Sequence, residues 1–145
     1  MGFKGYTIID GDGHVIEDTK AIVGFMPQPY RDKFDTHPFF NPFPPLDHLH
    51  SANMHDFQPG AFNKVGPDGW LDFLEDVGIE TTVLYTTLGL ALGKIISRDW
   101  AIDVARDYKD WFHHEYLKKS PRFKGTALIP LQEPQAAVEE LRRAV

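Results

Sequence analysis

The chain has 145 residues, no cysteine and a formal net charge of −6, with acidic and basic residues interspersed. The missing cysteines exclude disulfides and thiolate metal sites, and the acidic, mixed-sign charge argues against nucleic acid or an anionic membrane as partner. With 42% hydrophobic residues, the composition is that of a globular protein able to bury one core. The N-terminal Met-Gly-Phe-Lys-Gly-Tyr lacks the apolar h-region of a signal peptide, and Tyr6 stands where myristoylation requires Ser or Thr. No stretch is long enough to span a bilayer. A soluble, cytoplasmic protein is expected.

The first strand is expected over residues 6–9, running directly into Asp10-Gly11-Asp12-Gly13-His14. Side chains alternate along an extended chain, so Asp10, Asp12 and His14 should share one face. A carboxylate and an imidazole two residues apart can converge on one divalent cation, both being ordinary ligands of zinc and its neighbours. The glycines remove bulk where the backbone passes close to something. The competing reading is a strand that ends in a polar turn, since Asp and Gly are the commonest turn formers. Position favours the metal, because the C-terminal ends of strands are where barrel and open α/β enzymes place their chemistry.

Between His14 and Asp68 lie eight of the eleven prolines and seven of the eleven phenylalanines. Disordered segments are poor in aromatics, and a long irregular stretch inside a domain is commonly functional. Residues 15–68 are therefore read as an insertion after the first strand, a lid or pocket wall on the side of Asp12 and His14. Within it, His48, His50 and His55 look metal-like but are read as loop histidines or substrate contacts. Arg31 can orient a substrate carboxylate or pair with Asp32 or Asp35.

A helix should follow with Asp68 as N-cap, a stripe of Trp70, Phe73, Leu74 and Val77, and Gly78 at the left-handed end position. The second strand is expected over residues 80–85. Its end offers Tyr85, Thr86 and Thr87 as pocket candidates. The glycine-rich segment 88–93 lacks the Lys-Ser/Thr ending of a phosphate loop. A helix capped by Ser97 or Asp99 carries the stripe Ala101, Val104, Ala105, Tyr108, Trp111 and Phe112. His113 and His114 are adjacent on a helix, so they cannot chelate together and are read as surface. The third strand is expected over residues 125–131, with Pro130 ending its pairing and Gln132 at the pocket mouth. A last helix starts after Pro134 with Ala136, Ala137, Val138 and Leu141 on its apolar side. Alternating strands and helices with apolar strands imply a parallel sheet covered by helices.

Residues 9–17, Ile-Asp-Gly-Asp-Gly-His-Val-Ile-Glu, resemble the first-strand motif of the amidohydrolase superfamily. The branch they are most similar to contains aminocarboxymuconate-semialdehyde decarboxylase. Three further segments agree: residues 26–32 (Met-Pro-Gln-Pro-Tyr-Arg-Asp), residues 70–80 entering the second strand, and residues 123–134 (Phe-Lys-Gly-Thr-Ala-Leu-Ile-Pro-Leu-Gln-Glu-Pro). The resemblance implies an α/β fold, the N-terminal part of a (β/α)₈ TIM barrel with a long insertion after strand 1 and residues 1–145 within a single barrel. It implies one divalent metal, zinc by preference and manganese or iron as alternatives, with Asp12 and His14 as first-strand ligands. Asp12 stands where other members have His, an accepted variant. The family's other ligands, a His from a middle strand and an Asp from the last, have no counterpart here.

The implied activity is metal-dependent hydrolysis or non-oxidative decarboxylation of a small, carboxylate-bearing molecule. Arg31, His48, His50, Thr86 and Gln132 are candidate substrate contacts. The alternative is a non-catalytic fragment, or half of a split barrel, that works only with a complementary chain. Three strands of an eightfold barrel that typically needs ~250 residues lead to the expectation of an incomplete folding unit. Its open edges await the remainder of the barrel, a complementary chain or self-association, and the complete enzyme should be a homo-oligomer.

Overall fold

A computed structural model describes residues 5–37, 41–45 and 66–145. Strands β1 (Ile9–His14), β2 (Thr81–Tyr85) and β3 (Phe123–Gly125) form one parallel sheet in that order. Helices α1 (Thr19–Phe25) and α2 (Tyr30–Thr36) follow β1, and α3 (Pro67–Val77) enters β2. A 3₁₀ helix (Leu88–Lys94) and α4 (Arg98–Phe112) connect β2 to β3, α4 running on through a π turn (His113–Leu117). Helix α5 (Pro134–Ala144) follows β3. The mixed α/β character with parallel strands is as the sequence implies. No described helix is long and apolar enough to cross a membrane.

Local chemistry sets the helix ends. The Asp18 side chain accepts from the Ala21 N–H to cap α1, and Ser97 accepts from Trp100 to cap α4, each satisfying a donor left free in a first turn. Gly78 ends α3 at φ 75°, its N–H returning to the Glu75 and Leu74 carbonyls, in the left-handed region that glycine enters without strain. The cap expected at Asp68 is instead Gly66. Pro67 is suited to the first helical position, where no N–H is needed, so the helix starts earlier and Asp68 falls in its first turn.

Helix α4 supplies the core. Ala101, Val104, Ala105, Tyr108, Trp111 and Phe112 are all buried, the whole expected stripe. Tyr108 stacks on Phe112 at 5.8 Å between centroids, and Tyr116 meets Phe123 of β3 edge-on at 5.8 Å. Stripes on the flanking helices are narrower than their spacing promised. On α3 only Leu74 is buried, while Phe73 and Val77 are each 47% exposed. On α5 Ala136 and Ala137 are buried as expected, but Val138 and Leu141 are exposed. The third inward position of α5 belongs to a charge, Glu140, 2% exposed. Lys109 (2.5 Å), Arg106 and Arg143 (both 2.9 Å) hold its carboxylate, and Arg143 also pairs with Asp110 at 2.5 Å. Buried charge persists only when paired in this way.

Two strand expectations shift in register. Pairing of β1 begins where Ile9 meets Thr81 and runs to His14 beside Tyr85. The acid-Gly-acid-Gly-His segment is therefore inside the strand, and Tyr6 is exposed before it. β3 occupies 123–125 rather than 125–131. Its partner β2 ends at Tyr85, so after Gly125 opposite Leu84 the ladder continues only through the Thr126 N–H to the Leu84 carbonyl. Residues 127–129 have no strand to pair with among the described residues.

The two sheet faces differ. Thr82 and Leu84 are fully buried towards the helices, whereas on the other face Ile9 is 64% exposed and Thr81, Val83 and Tyr85 are half-buried. From the insertion, Phe43 is buried edge-on to Tyr108, the Pro42 carbonyl accepts from the Trp100 indole at 3.2 Å, and the Pro45 carbonyl from Lys94 at 3.4 Å. Lys94 ends the 3₁₀ helix and Trp100 lies in the first turn of α4, so residues 42–45 pack against the connection from β2 to α4. Phe39, Phe40, His48, His50 and His55 lie outside the described residues.

Candidate active site

The site is built by an irregularity in β1. Asp10 pairs with Thr82 and Gly13 with Leu84, so three steps on β1 match two on β2. That extra residue is a β-bulge, a device that re-aims side chains beside functional sites. It overturns the expectation that Asp10, Asp12 and His14 share a face. Asp10 turns to the helix-covered side, where the Thr82 hydroxyl donates to its Oδ2 at 2.6 Å and the Asp12 N–H to its Oδ1 at 3.1 Å. Asp10 therefore braces the bulge from beneath. Gly13 allows this closeness: a Cβ there would lie 2.5 Å from Thr82 Oγ1. Among the described residues nothing lies close to a Cβ built on Gly11, so of the two glycines it is Gly13 that serves a close approach there.

On the open side, the Asp12 carboxylate and His14 imidazole meet, Oδ1 to Nε2 being 3.9 Å. Tyr85 stacks beside the His14 ring at 5.9 Å between centroids. The other ring nitrogen, Nδ1, lies 3.3 Å from Thr87 Oγ1. A hydroxyl on Nδ1 fixes the ring and leaves Nε2 facing Asp12, as an outer partner does for a metal-binding histidine. The span of 3.9 Å lies within two bonds of ~2.0–2.2 Å, the usual zinc distances to nitrogen and carboxylate oxygen, so this donor pair fits a divalent ion. Among the described residues no group of three or more His, Asp or Glu side chains converges.

The loop carrying Thr87 is held by a residue that entered the sequence reading only as the end of a motif. Glu17 is 6% exposed. Its Oε1 accepts from the Thr86 hydroxyl and from the N–H groups of Thr87 (2.9 Å) and Gly89 (3.2 Å), while Oε2 accepts from Leu88 N–H at 3.0 Å. The signal available in sequence was a charged residue three positions after His14, with nothing to name its partner. Gly89 allows the packing, because a Cβ would lie 2.1 Å from Thr86 Oγ1 and 2.7 Å from Leu128 Cδ1. Gly89→Ala is expected to lower the stability of the chain by about 1–3 kcal/mol through overpacking, read as a lower denaturant midpoint.

The other sequence candidates are placed elsewhere. Thr86 is buried with its hydroxyl given to Glu17 rather than to the open face. Gln132 donates to the carbonyls of Leu92 (2.6 Å) and Ile95 (3.2 Å), closing the 3₁₀ helix. Arg31 donates to the Met26 carbonyl at 3.0 Å, bracing the turn between α1 and α2. His113 and His114 are exposed.

No family model matches the chain. Among curated relatives, the gamma-resorcylate decarboxylase of Rhodococcus jostii (strain RHA1) is 43% identical over 75 residues, 52% of this chain and 22% of the relative. The gamma-resorcylate decarboxylase of Rhizobium sp. (strain MTP-10005) is 40% identical over 78 residues, 54% of this chain and 24% of the relative. That of Polaromonas sp. (strain JS666 / ATCC BAA-500) is 33% identical over 72 residues, 50% of this chain and 22% of the relative. The matched stretches cover under a quarter of these relatives' length. The motifs and the matches thus agree: over about half its length this chain is related in sequence to decarboxylases of the amidohydrolase superfamily.

Proposed function

We propose that this chain supplies the first-strand portion of a metal-dependent decarboxylase whose substrate is a small organic acid of the gamma-resorcylate kind. The observation that carries the reading is the convergence of Asp12 and His14 at 3.9 Å on the open face, with Thr87 on the second ring nitrogen. Similarity to gamma-resorcylate decarboxylases favours decarboxylation over hydrolysis. The fold that accommodates it is a (β/α)₈ barrel begun by β1, β2 and β3. Asp12 and His14 would hold a zinc ion, or manganese or iron in its place. Such an ion, when bound, supplies Lewis-acid stabilisation of charge on the carboxylate-bearing substrate.

The chain's own residues set the conditions for that chemistry. The bulge aims Asp12, Thr87 orients His14, and the half-buried Tyr85 ring walls one side of the imidazole. A zinc site takes four donors, and the described residues bring two together. The remaining donors would come from groups outside the described residues, with water or substrate in the open position, and we propose that the rest of a barrel supplies the missing protein ligands.

The test is zinc and manganese binding by calorimetry, with Asp12→Ala and His14→Ala beside the unaltered chain. Each substitution is expected to weaken binding at least tenfold while the far-ultraviolet circular dichroism is retained. Equal affinity in all three proteins would overturn the assignment.

A further inference from the structure

We infer that Glu17 is a positioning residue for His14, acting through the backbone of Thr87; the inference rests on the metal-site reading above. The relay is continuous. The Glu17 carboxylate is buried and accepts from three successive backbone N–H groups, those of Thr87, Leu88 and Gly89, and from the Thr86 hydroxyl. These contacts pin the turn that leaves β2, so Thr87 has one place to stand. From there its hydroxyl meets His14 Nδ1 at 3.3 Å, and Nε2 is left towards Asp12 at 3.9 Å.

Glu17 is far better fixed than the group it serves. Its own side is buried, whereas the Asp12 and His14 side chains are 94% and 42% exposed. An exposed imidazole chooses its own rotamer and tautomer unless something rigid selects them. With the Thr87 hydroxyl accepting from Nδ1–H, the ring keeps its proton on Nδ1 and offers the Nε2 lone pair outward. A carboxylate is the group this turn requires. It has acceptor sites for all four donors, while the amide of glutamine would turn an N–H₂ group on backbone N–H groups.

The experiment uses the 145-residue chain labelled with ¹⁵N-histidine, at a pH where the imidazole is neutral. The His14 ring signals are identified by their absence in His14→Asn. The unaltered chain is expected to show His14 with its proton on Nδ1. Glu17→Gln and Thr87→Val are each expected to return the ring to the Nε2–H form that free imidazole favours. Thr87→Ser keeps the hydroxyl and should restore the Nδ1–H signal, which a general loss of packing would not do. The double variant should be no worse than either single one. Should Glu17→Gln fail to fold, Glu17→Asp, which draws the carboxylate back by one methylene, is read in its place.

In the same proteins zinc affinity should fall about 10- to 100-fold on loss of Glu17 or Thr87. An unchanged His14 tautomer in the Glu17 variant overturns the relay. A chain whose tautomer responds as described but whose zinc affinity is the same with and without Asp12 and His14 leaves the relay standing and sinks the metal reading.

Discussion

Replacing Glu140 with alanine is expected to cost about 3–5 kcal/mol, the penalty for removing one partner from a buried ion cluster. The loss falls on what remains. Lys109 is 9% exposed, and its ammonium would be left in the α4–α5 interface without the carboxylate 2.5 Å away. Arg106 and Arg143 lose the same acceptor, although Arg143 keeps Asp110. Burial alone would raise the Glu140 pKa, but the hydrogen bonds from Lys109, Arg143 and Arg106 outweigh it and hold the group at about 2. A depressed carboxylate stabilises the fold above its unfolded value, near 4.5, and that contribution disappears as pH falls from there to about 2. Urea denaturation at pH 7 should show the full difference between Glu140→Ala and the unaltered chain. At pH 2 the two curves should converge.

Asp107→Asn is expected to act in the opposite direction. Asp107 is 3% exposed, its Oδ2 has no hydrogen-bond partner among the described residues, and burial followed by the Asp103 and Asp110 carboxylates pushes it up to about 7, against Arg106 and Arg143. A carboxyl that is harder to ionise when folded penalises folding as pH rises from its unfolded value of 3.8 to about 7. At about 1.4 kcal/mol per unit, asparagine should stabilise the chain by up to about 4 kcal/mol at pH 8. The gain should shrink to nothing near pH 4. Thermal unfolding of both proteins across that range reads the crossing, and a gain independent of pH would contradict it.

What the sequence revealed and what it hid divide along physical lines. Ser97 and Gly78 act through chemistry within a few residues of themselves, and both ends were legible. The α4 stripe was legible because its neighbours bury all of it. Phe73, Val77, Val138 and Leu141 follow the same spacing, yet spacing says which side of a helix is apolar and not whether anything covers it. The bulge could not be foreseen, since it is a relation between two strands 70 residues apart. A regular alternation at Asp10, Asp12 and His14 was the simpler reading. The approach of Asp12 to His14 was visible nonetheless, because the two remain neighbours whichever way Asp10 turns. Glu17 was overlooked, and the partners of Thr86 and Gln132 were not foreseen, for one reason. A polar residue's partner is chosen by the fold, and a backbone N–H or carbonyl leaves no mark in the sequence.

If Asp12 and His14 hold an ion as proposed, the bulge also decides where entropy would be spent in capturing it. Asp12 and His14 sit two residues apart on a strand already anchored to β2, so bringing them to one ion closes almost no loop. Donors arriving from distant parts of a chain must each close a long one, at a cost that rises only slowly with length once the ends have met. On the proposed metal-site reading, the first-strand pair would therefore be the nucleus of the coordination sphere, a two-point chelate in place before other ligands come to it. Deleting one residue at the bulge would leave every donor present in the sequence and dissolve that advantage, because the meeting of carboxylate and imidazole depends on a count of backbone units.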